Sequence, residues 1–364
     1  MGPLTGVKVV ELAGIGPGPF CGMMLADMGA EVIRVERASN VPDEMPEGSP
    51  PDVSSRGKSS IGVDLKNPAG VETVLRLIEG CDVLIEGFRP GVTERMGLGP
   101  DVCLARNPAL VYGRMTGWGQ TGPMAQVAGH DITYLATTGV LGMMGPSDAP
   151  PAPPMNLVAD YGGGTMFLLY GLLAAVIERG VSGKGQVVDA AMIDGVPAMM
   201  GLIHGMMAQG DWMPERSANM LDGGAPFYRC YACADGQHVA VGALEPQFYA
   251  LLLNGLGLKA ADLPDQNDRK SWPAMHDRFA KIFVSRSRDH WAAVFAGTDA
   301  CVAPVLSIEE AAAHPHMADR AVYVAPGGVR QSAPAPRFGR SVPHPPKPPN
   351  ARGADTDAIL AELG

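Results

Sequence analysis

The sequence lacks the features that mark several large classes of protein. Its six cysteines are scattered over 364 residues, which is far from the density of a disulfide-stabilised secreted domain. The net charge of −10 leaves no excess of Lys and Arg to neutralise phosphates, so we expect no nucleic-acid partner. No apolar run reaches the roughly 20 residues that a bilayer span requires. The nearest candidate, 166–177, is followed by charged residues and glycine, so we expect a buried helix and no membrane partner.

Targeting and metal-binding patterns are also missing. The N-terminal MGPLTGVKVVEL runs directly into a strand pattern, and the C-terminal AILAELG carries no receptor-read address, so we expect a cytoplasmic enzyme. Cys230 and Cys233 form a C-x-x-C, but no second pair follows at the spacing of zinc ligands. We expect these cysteines in one arm of a hairpin that turns at Asp235-Gly236, and we expect no metal.

What the first half does contain is strands alternating with helices. Apolar strand patterns are followed by helical ones, and this alternation predicts an α/β fold with a Rossmann-like parallel sheet that binds ligands beyond the carboxyl ends of its strands. The predicted strands cover 7–12, 31–37, 60–66, 83–88, 109–117 and 185–192. The predicted helices in this half include 69–79, 165–179 and 193–209.

The first loop, AGIGPGP, raises the possibility of a dinucleotide site, with Glu36 as a ribose ligand. A G-x-G-x-x-G motif starting at Gly14 needs glycine at Pro19, and one starting at Gly16 needs it at Cys21. Because neither position is glycine, and because the prolines stiffen the loop, we expect no NAD site.

The length of the chain suits more than one domain. We expect a large Rossmann-like domain over 1–190, a helical linker over 191–221, a smaller α+β domain over 222–325 and a proline-rich strap over 326–364. Helices are predicted at 246–256, 273–285, 288–296 and 357–363. We expect the strap to return to the large domain, although composition alone does not decide this.

Three residues are candidates for chemistry. His130 lies between Gly129 and an apolar run, where a loop at the top of the sheet turns into a helix, a position that a structural histidine also occupies. Asp160 precedes three glycines and a buried helix, and we expect Thr165 or a glycine to cap that helix, which leaves Asp160 free. Glu245, at the end of a strand, either stabilises a helix start or orients a histidine.

Four cations follow strands of the predicted sheet. Arg37, Lys66 and Arg89 come at or after the ends of the second, third and fourth strands, and Arg95 lies one short helix later. Solvated surface charge is the alternative for each of them. Together they could meet the phosphates of a ligand at the carboxyl edge of the sheet.

Several motifs together resemble one family. The chain is similar to the alpha-methylacyl-CoA racemases of the family III CoA-transferase superfamily, from LTGVKVVELAG near its start to APRFGR near its end. The shared motifs are EGFRPG at 86–91, TGWGQTGP at 116–123, AGHDITYLATTG at 128–139, NLVADYGGGTMF at 156–167 and NMLDGGAPFY at 219–228. The resemblance implies an interlocked homodimer, with each active site between the large domain of one subunit and the small domain of the other.

The resemblance also implies a role for each site residue. His130 and Asp160 match the two acid/bases, Glu245 the residue that orients the histidine, and the backbone N–H of Asp131 the donor to the oxyanion. No cofactor is implied, since CoA enters as part of the acyl-CoA substrate. The residues that the family places along the CoA path are Arg37, Val63, Asp64, Leu65, Lys66, Gly87, Phe88, Arg89, Arg95, Gly129, Ile132, Thr133 and Tyr134.

The implied reaction inverts the 2-methyl centre of an acyl-CoA through an enolate. A base on each face of one carbon is required, and at least one of the two pKa values must be raised to keep a proton near neutral pH. One alternative is a CoA transferase with Asp160 as nucleophile. A second is an acyl-CoA binding protein without turnover. His130 and Tyr134 favour the racemase, because the transferases usually carry glutamine-containing variants of the 128–139 segment without the histidine.

Overall fold

A computed structural model describes residues 1–41 and 52–364, which form two compact units. Unit 1 comprises Met1–Thr138, Pro154–Met199 and Pro315–Gly364, and unit 2 comprises Gly139–Pro153 and Met200–His314. The boundaries differ from the expected ones in three places. Residues 139–153 belong to unit 2 rather than to the large domain, and unit 1 resumes at 315 rather than at 326. The expected linker over 191–221 is divided, with its residues up to Met199 in unit 1 and those from Met200 in unit 2.

The centre of unit 1 is a six-stranded parallel sheet in the order β3-β2-β1-β4-β5-β6, so the predicted α/β class with a Rossmann-like sheet is confirmed. Its strands run nearly as predicted, although several end earlier. They are β1 (Lys8–Leu12), β2 (Glu31–Arg37), β3 (Ser59–Val63), β4 (Val83–Glu86), β5 (Val111–Thr116) and β6 (Gln186–Ala191). Because the order reverses between β1 and β4, a crevice opens where the chain leaves those two strands.

Unit 1 contains helices that alternate with the strands of the sheet and further helices that follow its last strand in the sequence. They are α1 (Pro17–Asp27), α2 (Pro68–Glu79), α3 (Val92–Arg95), α4 (Pro100–Arg106), α5 (Asp131–Thr137), α6 (Met166–Ser182), α7 (Met192–Ala198), α13 (Pro315–Asp319) and α14 (Thr356–Leu363). Helix α2 shows why the core forms. Asn67 accepts a hydrogen bond from the Ala69 N–H at its start, and its apolar face buries Val74 and Ile78 completely.

Unit 2 is built on a small antiparallel sheet of β7 (Tyr228–Ala232), β8 (His238–Gly242) and β9 (Val302–Pro304). Its helices are α8 (Gly201–Gln209), α9 (Pro246–Gly255), α10 (Trp272–Phe283), α11 (Arg288–Phe295) and α12 (Ile308–Ala313). The predicted hairpin is confirmed, with Gly236 at φ 75° in the turn. Cys230 is exposed and Cys233 is buried, and both are free thiols.

The C-terminal part of the chain lies in unit 1, where β10 (Tyr323–Val324) pairs with β11 (Gln331–Ser332). The fully buried Arg56 binds Gln331 Oε1 at 2.7 Å and forms a salt bridge with Asp27. Farther on, the Ser60 N–H donates to Asp355 Oδ2 at 2.8 Å, next to α14. The strap therefore joins the large domain through hydrogen bonds to β3 and to the loop before it.

One continuous helical run, Leu157–Ser182, is long and apolar enough to cross a bilayer by length and composition. Only 28% of its most apolar stretch is buried, so the expectation of a buried helix is met only in part. One such helix is by itself weak evidence for a membrane.

Candidate active site

His130 stands where the chain that leaves β5 enters helix α5. Its carbonyl accepts hydrogen bonds from the N–H groups of Thr133 and Tyr134, and its own N–H donates to Thr133 Oγ1 at 2.9 Å. The same hydroxyl donates back to the His130 carbonyl at 2.7 Å. The backbone is thus fixed by α5, while the imidazole is solvent-exposed and free to meet a ligand.

Asp160 lies inside a helix, which corrects the expectation of a helix that starts near Thr165. The segment Leu157–Thr165 forms π-helical turns and continues without interruption into α6. We call these nine residues the π segment. Thr165 does not cap it. Its buried hydroxyl donates instead to the Pro17 carbonyl at 2.9 Å, which ties the segment to α1. π-Helical turns occur frequently at functional sites.

The three glycines of the π segment permit the close approach of another backbone. A Cβ at Gly163 would lie 2.6 Å from Val196 Cγ2, and one at Gly195 would lie 1.9 Å from the Gly163 carbonyl oxygen. Helix α7 therefore packs directly onto the segment, backbone against backbone. Glycines at such positions admit either a ligand or another backbone, and here the backbone of α7 packs on Gly163.

His130 and Asp160 line one cavity of about 260 Å³, so the structure brings the two proposed acid/bases together. The cavity lies at the reversal of strand order, because Leu12 ends β1 and Glu86 ends β4 in its wall. Its other walls come from the first loop and α1, from the end of β5, and from α5 and α7. The glycine-rich first loop, which lacks the glycine spacing of a dinucleotide-binding motif, thus faces this cavity.

The surroundings of Asp160 shift the pKa of its carboxyl. Burial raises the pKa of the Asp160 carboxyl, and the negative charge of Asp131 raises it further. Asn156 Nδ2, 3.5 Å from Asp160 Oδ2, and the nearby His130 act in the opposite direction. The pKa of Asp160 remains above its ordinary value.

Tyr134 forms a wall shared by this cavity and a neighbouring one of about 310 Å³. Its ring packs edge-on against Trp118, with ring centroids 4.8 Å apart. A Cβ at Gly117 would lie 2.1 Å from the ring, and one at Gly129 would lie 2.5 Å from it. Both positions must therefore be glycine for the tyrosine to stand where it does. The neighbouring cavity is also lined by Gly87, Phe88 and Arg89.

Most of the predicted CoA-path residues of the second and third strands line a larger cavity of about 1120 Å³. Three cations reach it, Arg37, Lys66 and Arg95, together with Val63, Asp64 and Leu65. Within the described part of the chain, none of the three cations forms a salt bridge, whereas Glu72 on the same wall is already bound to Arg106 at 2.6 Å. The cations are thus available to phosphates of a ligand.

A few predicted site residues lie elsewhere. Ile132 is 46% exposed and Thr133 is engaged with the His130 backbone, and neither lines any of these three cavities. Lys66 lines its cavity but does not end its strand, because β3 stops at Val63, whereas Arg89 follows the end of β4 at Glu86 as expected. Glu245 is the exposed N-cap of α9 in unit 2, so its pairing with His130 stays a prediction.

Two buried groups at the site were not expected from the sequence. Glu86 accepts hydrogen bonds from the Phe88 N–H at 2.7 Å and from Arg114 Nε at 2.8 Å, and it thereby holds the loop that carries Arg89. The side chain of Asp131 is also buried, although only its backbone was expected to act. A carboxylate inside an otherwise apolar strand end is the signal that could have pointed to Glu86.

The fold and site define a class of protein that comparison with known families identifies. The model of CoA-transferase family III matches residues 4–356, and the chain belongs to that family. It is 45% identical over 366 residues to the alpha-methylacyl-CoA racemase of Mus musculus and 43% identical over 368 residues to that of Homo sapiens. Each alignment covers 99% of this chain and 93% of the relative, so the resemblance is confirmed.

Among solved structures, a CAIB/BAIF family protein from Brucella suis superposes with a TM-score of 0.86 at 27% identity. The match covers all of both chains. The similarity therefore extends over both units and the C-terminal segment.

Proposed function

We propose that the protein interconverts the (R) and (S) forms of 2-methyl-branched acyl-CoA thioesters by 1,1-proton transfer. The observation that carries the proposal is that His130 and Asp160, 30 positions apart in the chain, line one cavity at the carboxyl edge of the sheet. The two racemase relatives bear this activity in their names.

The chemistry requires groups with two different tasks. The hydrogen between a thioester carbonyl and a methyl branch is weakly acidic, so one side chain removes it while a donor stabilises the enolate oxygen. The other side chain returns a proton to the opposite face. The pKa of Asp160 is raised in the direction that this task requires, and His130 is its proposed partner. The Asp131 N–H, at the first position of α5, is the proposed oxyanion donor.

The CoA part of the substrate is assigned to the 1120 Å³ cavity. Arg37, Lys66 and Arg95 would meet its phosphates, and the thioester arm would pass Arg89 and Tyr134 toward His130. The proposed reaction uses acid/base chemistry only, so the substrate itself supplies the CoA and no further cofactor takes part.

We further propose a homodimer in which Glu245 of one subunit orients His130 of the other. Helix α6 supports an apolar partner surface, since Tyr170 is 74%, Ile177 73% and Val181 90% exposed. A cytoplasmic location stays part of this proposal.

The second candidate function is CoA transfer with Asp160 as nucleophile, and membership of a family named for that reaction is the observation in its favour. The 2-position proton separates the two candidates. A racemase exchanges it without any acceptor acid. A transferase leaves the proton in place and transfers CoA only when an acceptor acid is present, and a binding protein does neither.

The test is deuterium incorporation into a single enantiomer of a 2-methylacyl-CoA in heavy water. The wild type is expected to incorporate deuterium and to lose optical purity without an acceptor. His130→Ala and Asp160→Ala are each expected to abolish racemisation, whereas the exposed residues His344 and Asp101 provide control substitutions to alanine with wild-type rates. A wild-type rate in either site variant, or a strict need for an acceptor acid, would refute the proposal.

A further inference from the structure

We infer that the carboxylate of Asp131 is a positioning residue that fixes Asp160 relative to His130. The inference rests on the proposed function. The side chain of Asp131 is 6% exposed, and its Oδ2 accepts hydrogen bonds from the N–H groups of both Ala159 and Asp160, each at 2.8 Å. Since Asp131 directly follows His130, one carboxylate ties the start of α5 to the segment that carries the second acid/base.

The π segment needs such a tie. The first N–H groups of a helix have no partner within the helix, and in π turns, where the bonds span five residues, Ala159 and Asp160 are among them. Three glycines follow Asp160, so local side chains add little to the stiffness of the segment. A carboxylate that accepts two of these N–H groups supplies the missing hydrogen-bond partners and also restrains the glycine-rich backbone.

The charge of Asp131 has a second effect at the same place. Its Oδ1 is buried and has no hydrogen-bond partner among the described residues, so the negative charge is poorly screened. That charge is among the causes that raise the pKa of Asp160, second to burial. Asp131 therefore holds the backbone at Asp160 and also contributes to the raised pKa of its carboxyl.

The other groups near Asp160 do not duplicate this role. From α5, His130 lowers the pKa of Asp160, and Tyr134 faces the carboxyl across the cavity. From β4, Glu86 lines the cavity, but the Phe88 N–H and Arg114 occupy its two oxygens. The contacts with the π segment from α1 and α7 include Phe20, Met192 and Val196, which carry no charge.

The experiment compares Asp131→Asn with Asp131→Ala by deuterium incorporation from each enantiomer across a pH series. Asparagine keeps an oxygen for both N–H groups and removes the charge. We therefore expect a folded protein with a near wild-type KM, in which the limb of the rate profile that reports Asp160 moves to lower pH. Alanine removes the acceptor. We expect kcat to fall on the order of a hundredfold in both directions, because a displacement of about 1 Å has that effect.

The control is Asp82→Asn. Asp82 also accepts a backbone N–H, from Lys8 at 2.8 Å, but it precedes β4 and so stands at the opposite edge of the sheet. Its variant is expected to keep the wild-type pH profile. A folded Asp131→Ala with a wild-type kcat would overturn the positioning role. A wild-type pH profile for Asp131→Asn, measured on a protein with native circular dichroism, would overturn the effect of the Asp131 charge on Asp160, even if Asp131→Ala fails to fold.

The two proposals fail separately. A wild type that incorporates no deuterium sinks the proposed function. An active wild type with a fully active, folded Asp131→Ala contradicts only the positioning role, and one with an unmoved Asp131→Asn profile contradicts only the charge effect. Infrared difference spectra of the wild type and Asp160→Asn give the pKa of Asp160 without turnover, and we expect Asp131→Asn to lower it.

Discussion

The packing of Tyr134 against Gly117 makes a sharp prediction for Gly117→Ala. The new Cβ would lie 2.1 Å from the ring, whereas carbon atoms pack at about 3.5 Å or more, so the ring must withdraw by roughly 1.4 Å. Trp118 stands against the ring, and Tyr134 is 7% exposed, which leaves little room. Overpacking of this kind costs about 1–3 kcal/mol of unfolding free energy.

We also expect Gly117→Ala to lower the catalytic activity of the folded protein. Tyr134 lines both cavities that contain His130, so its displacement changes the path of the thioester and the geometry at the histidine. We expect kcat/KM for deuterium exchange to drop on the order of a hundredfold. Urea denaturation followed by circular dichroism measures the first effect, and the exchange assay measures the second.

A double-mutant cycle with Tyr134→Ala isolates the cause. Once the ring is gone, Gly117→Ala should cost almost nothing, so the coupling energy should equal most of the single-mutant penalty. Gly180→Ala in α6 is the matched control, because no atom lies within 4 Å of its Cβ position, and we expect a gain of about 0.5–1 kcal/mol there. The reasoning is refuted if the Gly117→Ala penalty persists without the tyrosine ring.

Three further outcomes are expected. Arg56→Met should lower the unfolding free energy by about 3–5 kcal/mol, because it leaves the buried Asp27 carboxylate unpaired; a loss below about 1 kcal/mol in urea titrations would contradict this. Arg288 lowers the pKa of Glu310 from 4.5 to about 2, so the pair stabilises fully above pH 4.5 and its contribution is lost as the pH falls toward 2. Glu310→Gln should therefore flatten the acid side of the stability profile, and an unchanged slope argues against the pair. Lys66→Met should raise KM for the thioester by up to about fivefold at low salt and leave kcat unchanged; an equal KM would remove Lys66 from the CoA path.

The parallel sheet could be predicted from the sequence because its strands are buried on both faces and read as continuous apolar runs. Val83–Glu86 and Val111–Thr116 fall inside the predicted ranges. Their ends could not be placed, since residues such as Phe88 remain apolar after the ladder stops. A hydrophobic pattern indicates which residues are buried, and residues in the loops at the carboxyl edge of the sheet are buried too. The pattern therefore does not show where a strand ends.

The π segment could not be predicted, because its stability depends on contacts distant in the sequence. Three consecutive glycines indicate a break in a helix by local propensity. In the folded chain, α7 packs on Gly163, and Asp131 accepts the N–H groups of Ala159 and Asp160. His130 and Asp160 were found through motifs, whereas the buried role of the Asp131 side chain is visible only when positions 131 and 159 are seen together.

Because the C-terminal segment packs on unit 1, unit 1 can complete its fold only after the last part of the chain has been synthesised. Arg56 and its partner Gln331 are 275 positions apart, and ribosomes add about 5–20 residues per second, so the guanidinium waits on the order of tens of seconds for that amide. All of unit 2 is translated in the interval. Unit 1 is therefore the first unit whose synthesis begins and the last whose synthesis ends. Until the strap is made, water or chaperones must cover the surface of unit 1 on which the strap will pack.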